Sequence, residues 1–360
     1  MKSVIESFRA SLPFTLNLAA KAAVVGIDGR VLGITEADAS ASVAASVAAV
    51  RAFFGERWQT GDVAVLNDPD RGATHVCQLT AVAPISRQGK IAAWGVLRSN
   101  IPDLGGWHAG GYSPQAVDRW AEAARFEPAK LLLAGRVRRE VADLLSLNSR
   151  TPKATRRLAL ALAEAVLGLG KLLDLDQIQA AFQGDLSKVR RALEELGTKE
   201  GKGAATIRTP AGIASPGEIS VRLSCAAGKL AVHVAAPAIS AHPVNLGAAA
   251  SNDIVLSAVM QGLGVELKTG ALLEFVETRF HDGLLAARVP ACVGLGRETS
   301  GVALHTACAT ACAALNQRPA PNAAPAWLAR EVAGDLDWST GALSARSAAA
   351  LLAAETEADR

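Results

Sequence analysis

Aromatic side chains are scarce in this chain, at 4% of 360 residues, although half of the residues are apolar. Alanine supplies much of that apolar share, so the expected interior is one of helices packed closely through small side chains. A long uninterrupted apolar run is also missing. Leu158 to Leu175 comes nearest, but Glu164, Gly168, Gly170 and Lys171 break it, which excludes a membrane span there. Met1 to Leu12 is polar and mixed and lacks the apolar centre of a secretory leader. Cys77, Cys225, Cys292, Cys308 and Cys312 are odd in number and scattered, which excludes a disulfide framework and fits reduced thiols in a cytoplasmic protein. The formal charge is +3 with both signs interspersed, so neither a nucleic acid nor a membrane is an expected partner.

Several common catalytic signatures are absent as well. Gly197 and Gly201-Lys202 are too close for a phosphate-binding loop, and no Ser or Thr follows the lysine. Gly294-Leu295-Gly296 lacks the preceding strand and third glycine of a dinucleotide fingerprint. No Ser-His-Asp or Cys-His set has the spacing of a nucleophile elbow.

What is present is concentrated between Thr60 and Tyr112. Asp62 to Leu66 is a short β-branched run, and Asn67-Asp68-Pro69-Asp70-Arg71-Gly72 is a turn cluster in which proline fixes φ and Asx side chains bond the local backbone. Leu79 to Pro84 and Ile91 to Leu97 read as two further strands around a Gln88-Gly89 turn. They deliver Arg98 through Gly106 to one end of a sheet, where sites commonly form. Ahead of this block, Ala22 to Ile27 and Val31 to Ile34 read as a hairpin around Asp28-Gly29. A helix is expected from an Asp38 cap through Phe54.

Beyond it, helices are expected over Arg136 to Leu147, Thr155 to Leu173 and Ile178 to Leu196. Gly197 to Gly203 reads as a linker, followed by strands at Glu218 to Ser224 and Leu230 to Ala235. Asn252 to Leu263 and Gly301 to Leu315 read as helices, Leu272 to Glu277 and Leu284 to Val289 as strands. The expected class is α+β, with a β-rich N-terminal domain (1–154), a helical connector (155–204), a smaller mixed C-terminal domain (205–315) and a Pro/Ala-rich tail (316–360).

The central block resembles the hydantoinase B/oxoprolinase family. The family pattern G-D-x(4)-N-D-P-x-x-G-G-T-H-x-x-D, then H-H-x-D-x-G-G, is met at Gly61, Asp62, Asn67, Asp68, Pro69, Gly72, Thr74, His75, Asp103, Gly105 and Gly106. Downstream, E-G-x-x-I-P-P-x-K-L is echoed around Arg125 to Leu131, N-x-R-x-P by Asn148 to Pro152, and P-V-N by Pro243-Val244-Asn245. The resemblance covers roughly Ser3 to Leu315, weakly after Ala205. It implies the fold of partner subunits in ATP-dependent cyclic-amide hydrolases and biotin-independent ketone carboxylases.

The same resemblance implies a metal site, and here the chain departs. His75 keeps one ligand position, but the Asp three residues on is Gln78, the H-H pair is Asn100-Ile101, and the N-terminal Asp aligns near Ala19. No histidine occurs between Val31 and Trp58, where the family carries P-x-H-x-G, and the acidic D-F-x-G-T-S run is Val234 to Ile239. Neutral amides and aliphatic groups are poor ligands for zinc or manganese. The expectation is a non-catalytic auxiliary subunit of the acetophenone carboxylase type with no metal or cofactor of its own. ATP and Mg, Mn or Zn would sit on larger partners, a sugar-kinase-like ATPase subunit and a full-length hydantoinase B-like subunit, and biotin would be absent. The candidate pocket remnant is Asp68, His75, Asn100, Asp103 and His108. Two alternatives stay open: a working B subunit with His75, Asp103 and His108 in a rearranged site, and a stand-alone small-molecule binder. His305, Cys308 and Cys312 share a helix face, and the expected reading is buried thiols in an Ala-rich interface.

Overall fold

The computed structural model describes residues 21–317, apart from 102, 109–112 and 211, and the backbone of 336–337 and 342–343. Ala19 and most of the tail lie outside the described residues. The opening strands are β1 (Lys21–Gly26) and β2 (Val31–Ile34), followed by helix α1 (Ser40–Phe54). β3 (Val63–Leu66), β4 (Gln78–Arg87) and β5 (Lys90–Asn100) come next, then the short helix α2 (Arg119–Glu122), β6 (Ala129–Leu133) and β7 (Arg136–Val137). These strands form one antiparallel sheet of order β2-β1-β5-β4-β3-β6-β7.

Both faces of this sheet are covered, which explains its nearly continuous apolar strands. Ala81, Ala83 and Ile85 of β4 face the main core, while Val82 faces Val43, Val47 and Val50 of α1. On the other side lies α4 (Pro152–Leu172), preceded by α3 (Arg139–Ser146). Gly95 lets Val166 and Leu169 approach β5, and Gly170 admits Ile85. α1 and the 3-10 turn before it are long and apolar enough to span a membrane by composition, yet the helix fills one face of the sheet.

α5 (Leu175–Leu196) leads into the second sheet, β8 (Lys199–Thr206), β9 (Glu218–Ala226), β10 (Lys229–Ala235) and β11 (Val276–Phe280). The order is β11-β10-β9-β8, antiparallel except for the β10–β11 pair. α6 (Ala248–Leu263) and α7 (Val302–Leu315) complete the core, with a π-helical turn at Arg297–Gly301 entering α7. A two-residue hairpin, β12 (Leu336–Asp337) with β13 (Ala342–Leu343), lies in the tail. The α+β expectation therefore holds.

Some local expectations fail for physical reasons. Gly197 to Gly203 is not a linker: β8 runs through it, because Gly201 and Gly203 let α7 lie against the strand backbone where any Cβ would overlap the carbonyls of Ala311 and Ala307. Leu284 to Val289 is not a strand, since Leu284 and Ala287 donate to Pro237 and Leu246 carbonyls in successive turns. Leu272 to Glu277 divides into a 3-10 turn at Ala271–Glu274 and the start of β11. Asp38 does not cap α1, which starts at Ser40 after Ala39 with no side-chain cap. His305, Cys308 and Cys312 are all buried, and Cys312 presses against Gly262 of α6, as the interface reading expects. Burial holds His305 down at about 4 and pushes the Cys308 and Cys312 thiols up.

Candidate functional site

The retained motif residues form a set of clamps. Asp62 accepts from Ala134 N at 2.8 Å, Gln59 N at 3.0 Å and Lys130 Nζ at 2.6 Å, pinning the start of β3 to the β6–β7 turn. Asn67 donates to Val76 O and Ala124 O and accepts from Phe126 N, at 2.6, 2.8 and 2.6 Å. Asp68 caps the Pro69–Arg71 turn through Asp70 N and accepts from Arg125 Nη1 at 2.7 Å, with Arg119 Nη1 at 3.8 Å. Burial nevertheless pushes the Asp68 carboxyl above its ordinary range.

Asp103 repeats the pattern. Its Oδ1 accepts from Gly105 N at 3.0 Å and Arg150 N at 2.8 Å, and its Oδ2 accepts from Arg150 Nη1 at 2.9 Å. Gly105 and Gly106 both have φ of +88°, and a Cβ on the first would meet Asn148 O at 2.7 Å. The second presses onto the Glu122 carbonyl. Each motif acid thus has a cationic partner, Asp62 with Lys130, Asp68 with Arg125 and Asp103 with Arg150. Asp103→Asn is expected to lower unfolding stability by about 2 kcal/mol, since it removes a charge-assisted bond from a fully buried acceptor whose partner Arg150 is half exposed. Urea denaturation measures this, and an unchanged midpoint would contradict a clamping role.

The positions implied as metal ligands are differently occupied. Gln78 and Asn100 face each other across β4 and β5. The Gln78 Oε1 accepts from Thr74 Oγ1 at 2.9 Å and Thr74 N at 3.3 Å, so its oxygen is already committed. Ile101 is buried in the main core, and His75 is buried between Thr74 and Val76. His108 lies in the loop beyond Gly106, with Nδ1 3.2 Å from Ser113 Oγ. His75, Asp103 and His108 do not converge, and among the described residues no three His, Cys, Asp or Glu side chains are grouped to hold a metal ion. An amide engaged by a hydroxyl and a core isoleucine do not fit the divalent ion implied by the family pattern.

Next to Thr74 and Gln78 is a cavity of about 20 Å³, bounded also by Lys21, Asp38, Arg98, Asp253 and Arg297. Such a space holds about one water. Arg98, at the end of β5, is fully buried and donates to Thr80 Oγ1, Ser42 Oγ and O, Ser46 Oγ and Gly72 O, all within 2.6–3.2 Å. Burial lowers its pKa to about 10, opposed by the charge of Asp253. Asp253 accepts from Ser42 N at 3.0 Å, tying α6 to α1, and burial raises its carboxyl to about 6. Asp38 is likewise raised by burial, opposed first by Lys21. Arg98 was legible as a charged residue ending an apolar strand, but Asp253 carries no local sequence signal.

A further buried group is Glu122 of α2, whose Oε1 accepts from Val293 N at 2.8 Å and Gly294 N at 2.5 Å. Burial pushes it up to about 7 against those bonds and the charge of Arg119. Arg119 donates to Ala291 O at 3.0 Å and Asp70 Oδ1 at 2.7 Å. Glu122 stands eight residues before Lys130, the offset of the acid in E-G-x-x-I-P-P-x-K-L, so the signal was available in the sequence. On the outer side of Asp68 an open cleft of about 610 Å³ runs past Arg71, Arg125, Glu127 and Arg288 to the start of α6.

The retained clamp residues are those of one class: the chain belongs to the hydantoinase B/oxoprolinase family, whose sequence model matches residues 15–342, and departs from it at the ligand positions. Among individual proteins it is similar to caprolactamase subunit beta of Pseudomonas jessenii, 35% identical over 101 residues that make up 28% of this chain and 17% of that protein. It is also similar to 5-oxoprolinase 1 of Arabidopsis thaliana, 28% identical over 150 residues, 40% of this chain and 11% of the relative. The crystal structure of the ATP-dependent caprolactamase from Pseudomonas jessenii superposes with a TM-score of 0.78 at 21% identity, over 90% of this chain and 59% of that one. Nucleotide-free acetone carboxylase superposes with a TM-score of 0.69 at 13% identity, over 87% and 46%. The chain thus matches only part of the length of each relative, and the two structural likenesses concern the fold.

Proposed function

We propose that this chain is a non-catalytic auxiliary subunit of an ATP-dependent, multisubunit enzyme of the hydantoinase B class, specifically a biotin-independent ketone carboxylase of the acetophenone carboxylase type. The observation that carries this reading is the split between what is kept and what is exchanged. Acid–cation clamps that shape the loops are retained, whereas Gln78, Asn100 and Ile101 occupy the ligand positions, and the space beside Gln78 holds about one water. A subunit kept for docking needs its loops and core but no reactive pocket. Its relatives support an assembly: one is a caprolactamase subunit, and the structural neighbours are an ATP-dependent caprolactamase and an acetone carboxylase. ATP and the divalent metal would be bound by larger companions, a sugar-kinase-like ATPase and a full-length hydantoinase B-like chain, in the cytoplasm. Free buried cysteines agree with that compartment.

Reconstitution tests the proposal. Carboxylation by the companion subunits is expected to fall at least tenfold when this chain is left out and to return when it is added. Equal rates with and without it would remove the auxiliary role. A stoichiometric zinc, iron or manganese on the purified chain would instead favour the second reading, a catalytic B subunit of a cyclic-amide hydrolase. The open cleft beside Asp68 is the feature that would serve a stand-alone binding protein, and co-elution with larger subunits argues against that.

A further inference from the structure

One face of the second sheet is filled by α7, and the opposite face carries a line of basic residues, a lysine, two arginines and a histidine. Lys202 on β8 stands directly opposite Arg222 on β9, Arg222 opposite His233 on β10, and His233 opposite Arg279 on β11. All four side chains are exposed, and they cross the whole sheet in a single row. Arg279 is paired with Glu277 of its own strand at 2.7 Å. The side chains of Lys202, Arg222 and His233 make no hydrogen bond or ion pair among the described residues. Like charges placed directly opposite on neighbouring strands are destabilising. A lysine on β8 alone is explained as a charge that blunts an edge strand, but β9 and β10 are interior strands, where that reason does not apply.

The row borders a groove of about 470 Å³ that also takes in His281, Ser220 and Ala235. Ala204, Ser220 and Ala235 give it a low floor, and the nearest acids on the face, Glu200 and Glu277, sit at the two ends of the row on the other side. Three inter-strand steps make the row roughly 14 Å long, more than a single phosphate or carboxylate spans. No aromatic side chain stands among these floor and row residues, so the stacking platform by which sheets hold single-stranded nucleic acid is missing. The geometry points to a docking surface for an extended acidic segment of a companion subunit. This rests on the reading of the chain as a subunit, and it names the surface and the charge of what binds there.

The test uses the full chain, a fluorescein-labelled oligoglutamate peptide and an oligothymidylate of equal charge. The wild type is expected to bind the peptide, with affinity falling as salt rises. Arg222→Glu is expected to weaken that binding tenfold or more while the melting temperature holds or rises, which separates lost binding from lost folding. Absence of peptide binding, equal binding by the variant, or tighter binding of the oligothymidylate would each overturn the proposal. In the reconstituted mixture, an Arg222→Glu chain that still co-elutes with companions that retain the wild type would overturn it and leave the subunit reading intact. Failure of the wild type to co-elute would instead sink the subunit reading, and the peptide titration would still decide whether the row binds acidic chains.

Discussion

Gly203→Val is expected to destabilise the protein by on the order of 4 kcal/mol, large enough to unfold a domain of ordinary stability at 37 °C. β8 and α7 meet backbone to backbone here: a Cβ on Gly203 would overlap the Ala307 carbonyl, with Ala311 N at 2.7 Å and Thr310 Cβ at 2.9 Å. None of these is the end of a flexible side chain, so relief requires the helix to lift off the sheet. That motion uncovers Val221, Leu223 and Val232 on the buried side of the sheet. Gly184→Ala is the matched control. It lies in α5 with open space around it, and alanine there is expected to stabilise by about 0.8 kcal/mol through helix propensity. Denaturant curves of the two variants measure both values. A Gly203→Val protein as stable as the wild type would mean that β8 does not pack on α7 as described.

Stability is expected to fall as pH rises from about 6.5 to 8 through Glu122, whereas below 6.5 the buried His305, lowered to about 4, acts with the opposite sign and offsets it. The folded pKa of Glu122, about 7, lies above the ordinary 4.5. A raised acid binds its proton more tightly in the folded chain, so its contribution is complete below about pH 4.5 and is lost as pH rises through 7. At 1.36 kcal/mol per unit, the difference between about 7 and 4.5 is on the order of 3 kcal/mol. Asp253, raised from 3.8 to about 6, acts with the same sign at lower pH. Glu122→Gln keeps an oxygen for the Val293 and Gly294 amides and removes the charge, so it is expected to flatten the slope between about pH 6.5 and 8 and to match or exceed the wild type at pH 8. Urea unfolding across that range gives the slope directly. The same slope in wild type and variant would assign the dependence elsewhere.

Much of the N-terminal sheet was legible from local chemistry. The strands around Gln88-Gly89 and the hairpin around Asp28-Gly29 appear where alternation and turn residues place them. Glycine misled at Gly197 to Gly203 because composition reports backbone freedom, not whether a neighbour needs the space that a missing Cβ leaves. Leu284 to Val289 misled because a short apolar run is the same string of letters in a strand and in a buried loop. At the site, the turn cluster that holds Asp68 does turn through the Asp68 carboxylate, and Asp103, read as a pocket remnant, shapes a turn in the same way. Their partners Arg125 and Arg150 are 57 and 47 residues away; Arg150 stands in the N-x-R-x-P motif, but no local pattern says which acid either arginine meets.

The sequence by itself determined the family, the class of fold and the exchange of carboxylate and imidazole for amide and aliphatic groups at the ligand positions, because each of these depends on residue identity and order. Only the tertiary structure decided that Arg98 and Asp253 would meet through Ser42 and that Lys202, Arg222, His233 and Arg279 would stand in one row. Strand register and helix contacts bring residues together over separations of tens to hundreds of positions, and burial then sets the charge each group carries.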